Sequence, residues 1–338
     1  MSVGIIGAGI CGLSTAILLK QKNPTLHVTL ISDRFTPDTT SDVAAGFFHP
    51  HGIDETKNRD SILRWCKLTK ERIQDLCNKN PGLYGVGYIS GYELSERPLD
   101  SSPYWAPFMY NFRIVSKEEL RELGLPKRLQ HSYFYTTYYL ESAKHLPVLM
   151  QEFQQLGGVV VQQRLRSLED LGTKYDVIVN CSGLGSYQLI DDKTMIPLKG
   201  QVIKVKAPYL KHFYYSSDNP SWYILPTSDT FTLGGTAEYG NWDTTPDPEE
   251  SQRIRKTCTE IQPGLKSATV LREVAALRPW RPTIRLETEY REINGKSVPI
   301  VHNYGHGGSG VTLHWGCALD AVDLVQAALR SANTKAKL

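Results

Sequence analysis

The chain has 338 residues, a length that suits one large domain or two medium-sized domains. Its net charge of +3 and its 22% charged residues are ordinary for a globular protein and indicate neither nucleic acid nor an anionic membrane as a partner. No apolar run approaches the roughly 18 residues that a membrane-spanning helix needs. We therefore expect a protein with no nucleic-acid or membrane partner, large enough to enclose a cofactor.

Six cysteines are scattered along the chain, and none of them forms a CxxC pair. Reduced thiols are the simpler interpretation, and a disulfide framework or a metal site is the alternative. We expect no metal. The six are Cys11, Cys66, Cys77, Cys181, Cys258 and Cys317.

The chain begins with a strand, a glycine loop, a helix and a second strand. Val3 to Ile6 predicts the first strand, and the apolar stripe after Gly12 predicts a helix that ends near Asn23. His27 to Ser32 predicts the second strand, which Asp33 closes. This arrangement is typical of a dinucleotide-binding fold.

The glycine loop has the GxGxxG spacing of that fold. The first glycine permits a tight turn, the second allows the backbone to approach a pyrophosphate, and the third allows helix and strand to pack closely. An acidic residue at the end of the next strand would bind a ribose hydroxyl. A glycine-rich turn without a ligand is the alternative, and the motif does not separate FAD from NAD. The candidate residues are Gly7, Ala8, Gly9, Ile10, Cys11, Gly12 and Asp33.

The segment after Asp33 offers further cofactor contacts. Arg34, Thr39 and Thr40 lie in a proline-containing loop, where a guanidinium and hydroxyls are suited to phosphate oxygens, although a solvated turn is the alternative. The small residues that follow indicate close approach of the backbone to a flat ring system. They are Ala44, Ala45 and Gly46.

The rest of the chain alternates between β-rich and nucleotide-type segments, which predicts an α/β protein with two interleaved domains. We expect residues 1–50, 140–195 and 298–338 in the nucleotide-binding domain, and residues 51–139 and 196–297 in a β-rich, antiparallel domain. The predicted strands are Tyr84–Ser95, His131–Leu140, Gly158–Gln162, Tyr175–Asn180, Gln201–Val205, Thr230–Leu233, Leu271–Leu277 and Pro299–His302. The predicted helices are Ser61–Cys77, Leu146–Leu156, Pro246–Ile261 and Gly310–Ser331.

A second glycine-rich stretch runs from Ile300 to Gly310, between a predicted strand and the closing helix. Permissive backbone at a helix N-terminus is suited to a polar or anionic group. His302 and His306 are four residues apart, but the glycines between them and after them argue against a helix and so against a metal-binding pair.

This stretch carries a resemblance. The segment VHNYGHGGSGVTLHWGCA, from Val301 to Ala318, is similar to the signature of the D-amino-acid oxidase family, which includes D-aspartate oxidase. Other segments resemble the same family in the same order. They are Ile31–Gly46, Val177–Ser186, Gly200–Val202, Thr232–Trp242 and Leu277–Pro282.

The resemblance implies a Rossmann-like FAD-binding domain and a β-rich substrate-binding domain. It implies oxidation of a D-amino acid by hydride transfer from Cα to flavin N5, with a 2-oxo acid, ammonia and hydrogen peroxide as products. The partners would be a small D-amino acid and oxygen, and a homo-oligomer is possible. Ala336-Lys337-Leu338 resembles a peroxisomal address, a compartment that destroys peroxide; a cytoplasmic location is the alternative.

The resemblance also assigns roles at the site. Arg278 would pair with the substrate carboxylate, Tyr223 would support it, and the carbonyl of Gly308 would accept from the substrate amine. A structural salt bridge is the alternative for Arg278. The flavin ring would contact Ala44, Ala45, Gly46, Gly307, Gly310, Val311 and Thr312, and Ser309 lies among them. The adenosine half would contact Leu165, Ser182 and Gly183.

The side chain of the substrate is less clear from the sequence. Tyr215, Ala237 and Gly308 occupy positions where the resemblance implies two basic residues and a serine for a second carboxylate. His49 could supply charge, but a histidine would do so only in a pH-dependent way. Phe47, Tyr215 and Tyr223 otherwise suggest an aromatic pocket, so neutral or polar D-amino acids are narrowly favoured over acidic ones.

Three rival interpretations remain. A nicotinamide-dependent dehydrogenase would share the first 33 residues but would not explain Val301 to Ala318. A glycine or sarcosine oxidase relative is the second rival. A non-catalytic flavin-binding protein is the third, and it would not need Arg278 and Tyr223.

Overall fold

The computed structural model describes residues 1–54 and 56–335. The strands are β1 (Ser2–Ile6), β2 (His27–Ser32), β3 (Val86–Ser95), β4 (Tyr110–Ile114), β5 (His131–Leu140), β6 (Val159–Gln162), β7 (Val177–Asn180), β8 (Ile196–Lys206), β9 (His212–Ser216), β10 (Trp222–Pro226), β11 (Phe231–Gly234), β12 (Glu238–Tyr239), β13 (Thr269–Ile293) and β14 (Lys296–His306). The helices are α1 (Ile10–Lys22), α2 (Thr40–Val43), α3 (Arg59–Lys79), α4 (Pro81–Tyr84), α5 (Lys117–Glu122), α6 (Ser142–Gln155), α7 (Ser186–Leu189), α8 (Pro248–Ile261) and α9 (Gly310–Lys335). Ala336-Lys337-Leu338 lies outside the described residues, and the peroxisomal location stays a prediction.

The strands form one mixed sheet in the order β4-β5-β3-β9-β10-β11-β8-β13-β14-β7-β1-β2-β6, with β12 beside β8. At one end, β14, β7, β1, β2 and β6 are all parallel. Helices α1, α9, α3 and α6 pack on one another beside these strands. Strands β1 and β7 are almost entirely buried, as apolar parallel strands covered by helices must be.

The rest of the sheet is mostly antiparallel and is joined to the parallel end by β13. This strand of 25 residues pairs with β8 along its first half and with β14 along its second. The prediction of a short strand at Leu271–Leu277 was wrong in extent. The strand continues beyond Leu277, and Pro279 faces Pro197 of β8 in the ladder.

Most predicted elements agree with the structure. Strands β2 and β5 have the predicted bounds, and α1 ends one residue before Asn23. Strands β4, β9, β10 and β12 were not predicted. The parallel strands come from segments assigned to the nucleotide-binding domain and most antiparallel strands from the other, but the domain boundaries stay a prediction.

Two general features concern the chemistry that the chain can support. All six cysteines, which lie within the described residues, are unpaired. In the same part of the chain, no three His, Cys, Asp or Glu side chains gather as a metal site would require.

Within residues 1–54 and 56–335, no helix has both the length and the apolarity to cross a bilayer.

Candidate active site

The GxGxxG loop turns between β1 and α1 with almost no spare room. Gly7 has φ +101°, in the left-handed region, and a Cβ there would lie 2.4 Å from the carbonyl oxygen of Cys181. A Cβ on Gly12 would lie 1.9 Å from the carbonyl oxygen of Gly7. Both contacts are with backbone that cannot move aside, so these positions require glycine.

The N-terminus of α1 is suited to an anionic ligand. Its N-cap is Gly9, which supplies no side-chain cap, and the first turn contains no acidic residue. The N–H of Ile10 donates to Ser41 Oγ at 3.1 Å. Beyond Ile10, the first-turn N–H groups have no side-chain cap, and this positive dipole end fits a pyrophosphate, so the residues present fit a dinucleotide cofactor.

The acidic residue predicted to bind a ribose lies at the carboxyl end of β2. Asp33 is exposed, and its carboxylate lies 3.9 Å from the guanidinium of Arg34, which is also exposed. Because Ile31 faces Ile6 in the ladder, this end of β2 lies beside the glycine loop. Asp33 therefore lies where the dinucleotide fold places a ribose-binding acid.

Thr39 has a structural contact that the sequence did not indicate. It caps α2: its hydroxyl donates to Asp42 Oδ2 at 2.6 Å, and its N–H donates to the same oxygen at 3.0 Å. Thr36 donates to the other oxygen of this buried carboxylate. The hydroxyl proton of Thr39 is thus committed to Asp42, whereas Thr40 is exposed at the start of α2.

The two glycine-rich regions, nearly 300 residues apart in sequence, lie together. Cys11 Sγ, in the first region, lies 3.7 Å from His306 Nδ1, in the second. Gly307 has φ +53°, and a Cβ there would lie 2.2 Å from the carbonyl oxygen of Gly52. The predicted flavin-facing residues Ala44 and Ala45 are half-buried, as is Gly310, whereas Gly46 and Val311 are buried.

Two reciprocal pairs of hydrogen bonds fasten the loop containing His49 to the start of α9. Ser309 Oγ accepts from the His51 N–H at 2.8 Å and donates to its carbonyl at 2.6 Å. Thr312 Oγ1 accepts from the His49 N–H at 3.2 Å and donates to its carbonyl at 3.1 Å. Both hydroxyls therefore hold the loop in place, and contacts of these residues to flavin would be made by other atoms.

The predicted adenosine contacts lie beside the carboxyl ends of the parallel strands. Ser182 follows β7, and its hydroxyl donates to Asn180 Oδ1 at 2.7 Å. Gly183 has φ +56° and lies against Pro279. Leu165 is half-buried against the apolar cluster that contains Ile6 and Ile31.

The two side chains of the proposed carboxylate clamp, Arg278 and Tyr223, lie against the backbone of Gly200 and Gly234, which we call the glycine floor. A Cβ on Gly200 would lie 2.4 Å from the guanidinium of Arg278, and a Cβ on Gly234 would lie 2.2 Å from the ring of Tyr223. The guanidinium and phenol thus lie flat against bare backbone. Arg278 Nη1 donates to the carbonyl of Thr236 at 3.0 Å. Burial raises the pKa of the Tyr223 hydroxyl, and the neighbouring Arg278 guanidinium lowers it in part.

On the same face of the sheet, a row of three side chains leads away from the clamp. Tyr223 of β10 faces Tyr215 of β9, and Tyr215 faces Glu93 of β3, so all three side chains project to one side. Tyr215 also lies 5.6 Å from His49, measured between ring centroids. The structure therefore places Arg278, Tyr223, Tyr215 and His49 near one another, and their roles at the site stay a prediction.

Two residues near this row were not singled out from the sequence. Glu93 is a carboxylate in a tyrosine-rich strand, and burial raises its pKa from 4.5 to about 7. His51 is close enough to Arg278 that the guanidinium lowers its pKa in addition to burial, and its Nε2 would lie 2.9 Å from a Cβ on Gly308. A charged residue at a buried strand position was the available signal for Glu93.

His49 and Ala237 differ from what the sequence suggested. Burial lowers the pKa of His49 to about 3, so the imidazole is neutral near pH 7 and does not supply the positive charge considered for an acidic substrate. Ala237 is exposed, one residue beyond the Thr236 carbonyl that accepts from Arg278. Neither position therefore provides a cation for a second carboxylate.

Comparisons with known proteins agree with this geometry. Residues 2–324 match the model of the family described as DAO, FAD dependent oxidoreductase. The chain belongs to the DAO family of FAD-dependent oxidoreductases. The predicted fold class, the family resemblance and FAD as the cofactor are thereby confirmed, and a nicotinamide-dependent dehydrogenase is excluded.

Individual relatives cover nearly the full chain. It is 38% identical to human D-aspartate oxidase over 334 residues, covering 98% of this chain and 96% of the relative. It is 36% identical to D-amino acid oxidase of Dugesia ryukyuensis, covering 98% of this chain and 100% of the relative. Glycine oxidase from Bacillus cereus has the same fold, with a TM-score of 0.74 at 18% identity, covering 96% of this chain and 95% of that one.

Proposed function

We propose that this DAO-family enzyme catalyses the oxidative deamination of D-amino acids, and that it narrowly prefers neutral or polar side chains. The substrate loses two electrons and two protons in forming an imino acid, which water hydrolyses to a 2-oxo acid and ammonia. Dioxygen takes up the two electrons and two protons and leaves as hydrogen peroxide. FAD, when bound, supplies the acceptor for the substrate's Cα hydride.

The observation that carries this proposal is the pair of Arg278 and Tyr223 on their glycine floor. A guanidinium fork binds a carboxylate through two parallel hydrogen bonds, and the phenol hydroxyl supplies a third donor beside it. Because the Gly200 and Gly234 positions leave no side chain beneath them, both groups are fixed close to the sheet. A fixed clamp orients the substrate's Cα, which is the main task when hydride transfer needs no acid or base.

The preference against acidic side chains is supported by the row beyond the clamp. Tyr215 and Ala237 carry no charge, and burial keeps His49 neutral. A second carboxylate placed there would lose its hydration without gaining a cation, which costs several kcal/mol. The alternative, an oxidase of acidic D-amino acids, is supported by the 38% identity to a D-aspartate oxidase.

A peroxide-release assay with D-alanine, D-serine, D-aspartate and D-glutamate tests the proposal. The expected result is turnover of all neutral substrates with a higher kcat/KM than either acidic one. A strong preference for D-aspartate would overturn the side-chain preference and leave the oxidase proposal standing. No turnover of any D-amino acid by FAD-loaded protein would contradict the function itself.

The clamp is tested by Arg278→Ala. Losing a charged, bidentate contact should lower kcat/KM for D-alanine by about 100-fold or more, because this contact orients the substrate and holds its charge. The flavin absorption spectrum should be retained, since Arg278 belongs to the substrate side of the site. Unchanged kcat/KM would show that Arg278 has a structural role instead.

A further inference from the structure

Glu93 and His49 form a buried polar pair at the far end of the row that begins at the clamp. Glu93 is 5% exposed and His49 is 4% exposed. His49 Nε2 lies 3.8 Å from Glu93 Oε2, which is beyond hydrogen-bonding distance. Neither ring nitrogen of His49 has a hydrogen-bond partner within the described part of the chain.

This pair is incompletely satisfied for groups so deeply buried. The hydroxyl of Tyr135 donates to Glu93 Oε2 at 3.2 Å, so one carboxylate oxygen has a donor. Buried polar groups are nearly always hydrogen-bonded, because an unpaired one loses its hydration without compensation. A structural ion pair would close the gap between His49 and Glu93, and here the gap stays open. The arrangement is therefore suited to a ligand that brings its own hydrogen-bond donor.

The distance from the clamp matches the length of a basic side chain. Tyr223, Tyr215 and Glu93 are successive ladder partners, so Glu93 lies two strand spacings, about 10 Å, from Tyr223. An extended lysine spans about 7 Å from its carboxylate carbon to its terminal nitrogen. A substrate held by Arg278 would direct a long side chain along this row, over Tyr215 and towards His49, whose ring centroid lies 5.6 Å from that of Tyr215.

We propose that Glu93 and His49 form the end of the side-chain pocket and select D-amino acids that end in a hydrogen-bond donor or a cation, such as D-lysine and D-arginine. This inference rests on the proposed oxidase function and extends its substrate class from neutral and polar side chains to cationic ones. The carboxylate of Glu93 accepts from the substrate's ammonium or guanidinium group, and neutral His49 accepts through one ring nitrogen.

The groups around Glu93 favour the same class of substrate. Those that face it are His49, Tyr133, Tyr135, Tyr215 and Asp218. Asp218 is a second acid, and its charge contributes to the raised pKa of Glu93. None of these groups is a lysine or arginine, so an incoming cation would be attracted and an incoming carboxylate repelled.

The test compares kcat/KM for D-lysine, D-arginine, D-methionine and D-glutamate in the FAD-loaded wild-type enzyme and in Glu93→Gln. The wild type should use D-lysine and D-arginine at least as well as D-methionine, and D-glutamate least well. Glu93→Gln keeps the shape but removes the charge, and should lower the ratio of D-lysine to D-methionine by about 10- to 100-fold.

Glu119→Gln is the matched control. Glu119 binds Tyr92, which neighbours Glu93 on β3 but projects from the opposite face, so this variant removes the same charge near the same strand without touching the pocket. Its D-lysine to D-methionine ratio should equal that of the wild type. A wild type that oxidises D-methionine but discriminates against D-lysine overturns this inference alone, as does an unaltered ratio in Glu93→Gln. Absence of turnover with all four substrates contradicts the proposed function instead.

Discussion

Arg278 and Tyr223 keep their orientation because backbone without side chains lies beneath them. The guanidinium would be 2.4 Å from a Cβ on Gly200, and it is the movable end of a flexible side chain. A methyl group at that position would therefore displace the clamp before it disturbed the sheet. At the scale of residues, a methyl group added at Gly200 should therefore affect catalysis much more than it affects the stability of the fold.

Gly200→Ala tests this separation. We expect kcat/KM for D-alanine to fall by about 100-fold, because a misplacement of about 1 Å at a positioning group has effects of that size. The midpoint of urea unfolding should change little. Gly82→Ala is the control, since a Cβ there would meet nothing closer than 3.9 Å, and it should leave both quantities unaltered. A large loss of stability in Gly200→Ala with normal kcat/KM would contradict the argument.

At the scale of elements, the start of α9 and the loop from Phe47 to Gly52 behave as one unit. Ser309 and Thr312 each bind both backbone groups of one loop residue. The loop carries His49 of the pocket, and α9 follows the glycines that the family resemblance places against flavin. Loosening one of these bonds should therefore affect substrate pocket and cofactor together.

Ser309→Ala leaves the part-buried N–H and carbonyl of His51 without their partner. Leaving such groups unsatisfied costs about 1–3 kcal/mol, so the free energy of unfolding measured in urea should fall by that amount. The dissociation constant for FAD should rise as well. Ser331→Ala, which removes an exposed hydroxyl that bonds only within α9, should change neither quantity. Equal behaviour of the two variants would refute the coupling of loop and helix.

The glycine loop could be predicted from its spacing and the position of the clamp from the family resemblance, because each depends on a local segment of sequence. Gly7 and Gly12 stand in a spacing that only close backbone contact explains, and Arg278 lies within a recognisable segment. The pairing of Glu93 with His49 could not be predicted, since 43 intervening residues separate them and only the β3–β9 register aligns Glu93 with Tyr215. Likewise, burial decides that His49 is neutral, and burial is a property of the folded chain.

At the scale of the whole molecule, several histidines are buried in neutral form. Burial lowers the pKa of each from 6.5 to about 3 or 4. Glu93 has the opposite effect on the pH dependence of stability. Its pKa is raised from 4.5 to about 7, so the folded state binds its proton more tightly than the unfolded state does. The histidines with lowered pKa values near 3 or 4 are His49, His145, His302, His306 and His314.

The free energy of unfolding should therefore fall as the pH drops from 7 to 5. In this window the unfolded chain protonates these histidines and the folded chain does not, so acid favours unfolding by up to about 1.4 kcal/mol per pH unit for each histidine. Glu93 offsets the effect of one histidine. Urea unfolding at several pH values measures the slope, and His145→Gln should reduce it by one histidine's share. A free energy independent of pH over this range would be inconsistent with neutral burial.

The central claim is that the clamp and the flavin site together oxidise D-amino acids. The most direct measurement is hydrogen peroxide release by the purified, FAD-loaded wild-type protein with D-alanine and L-alanine supplied separately. We expect peroxide with the D-enantiomer and almost none with the L-enantiomer, because a fixed clamp presents only one face of Cα to the cofactor. Equal rates with both enantiomers, or no peroxide with any D-amino acid tested, would contradict it.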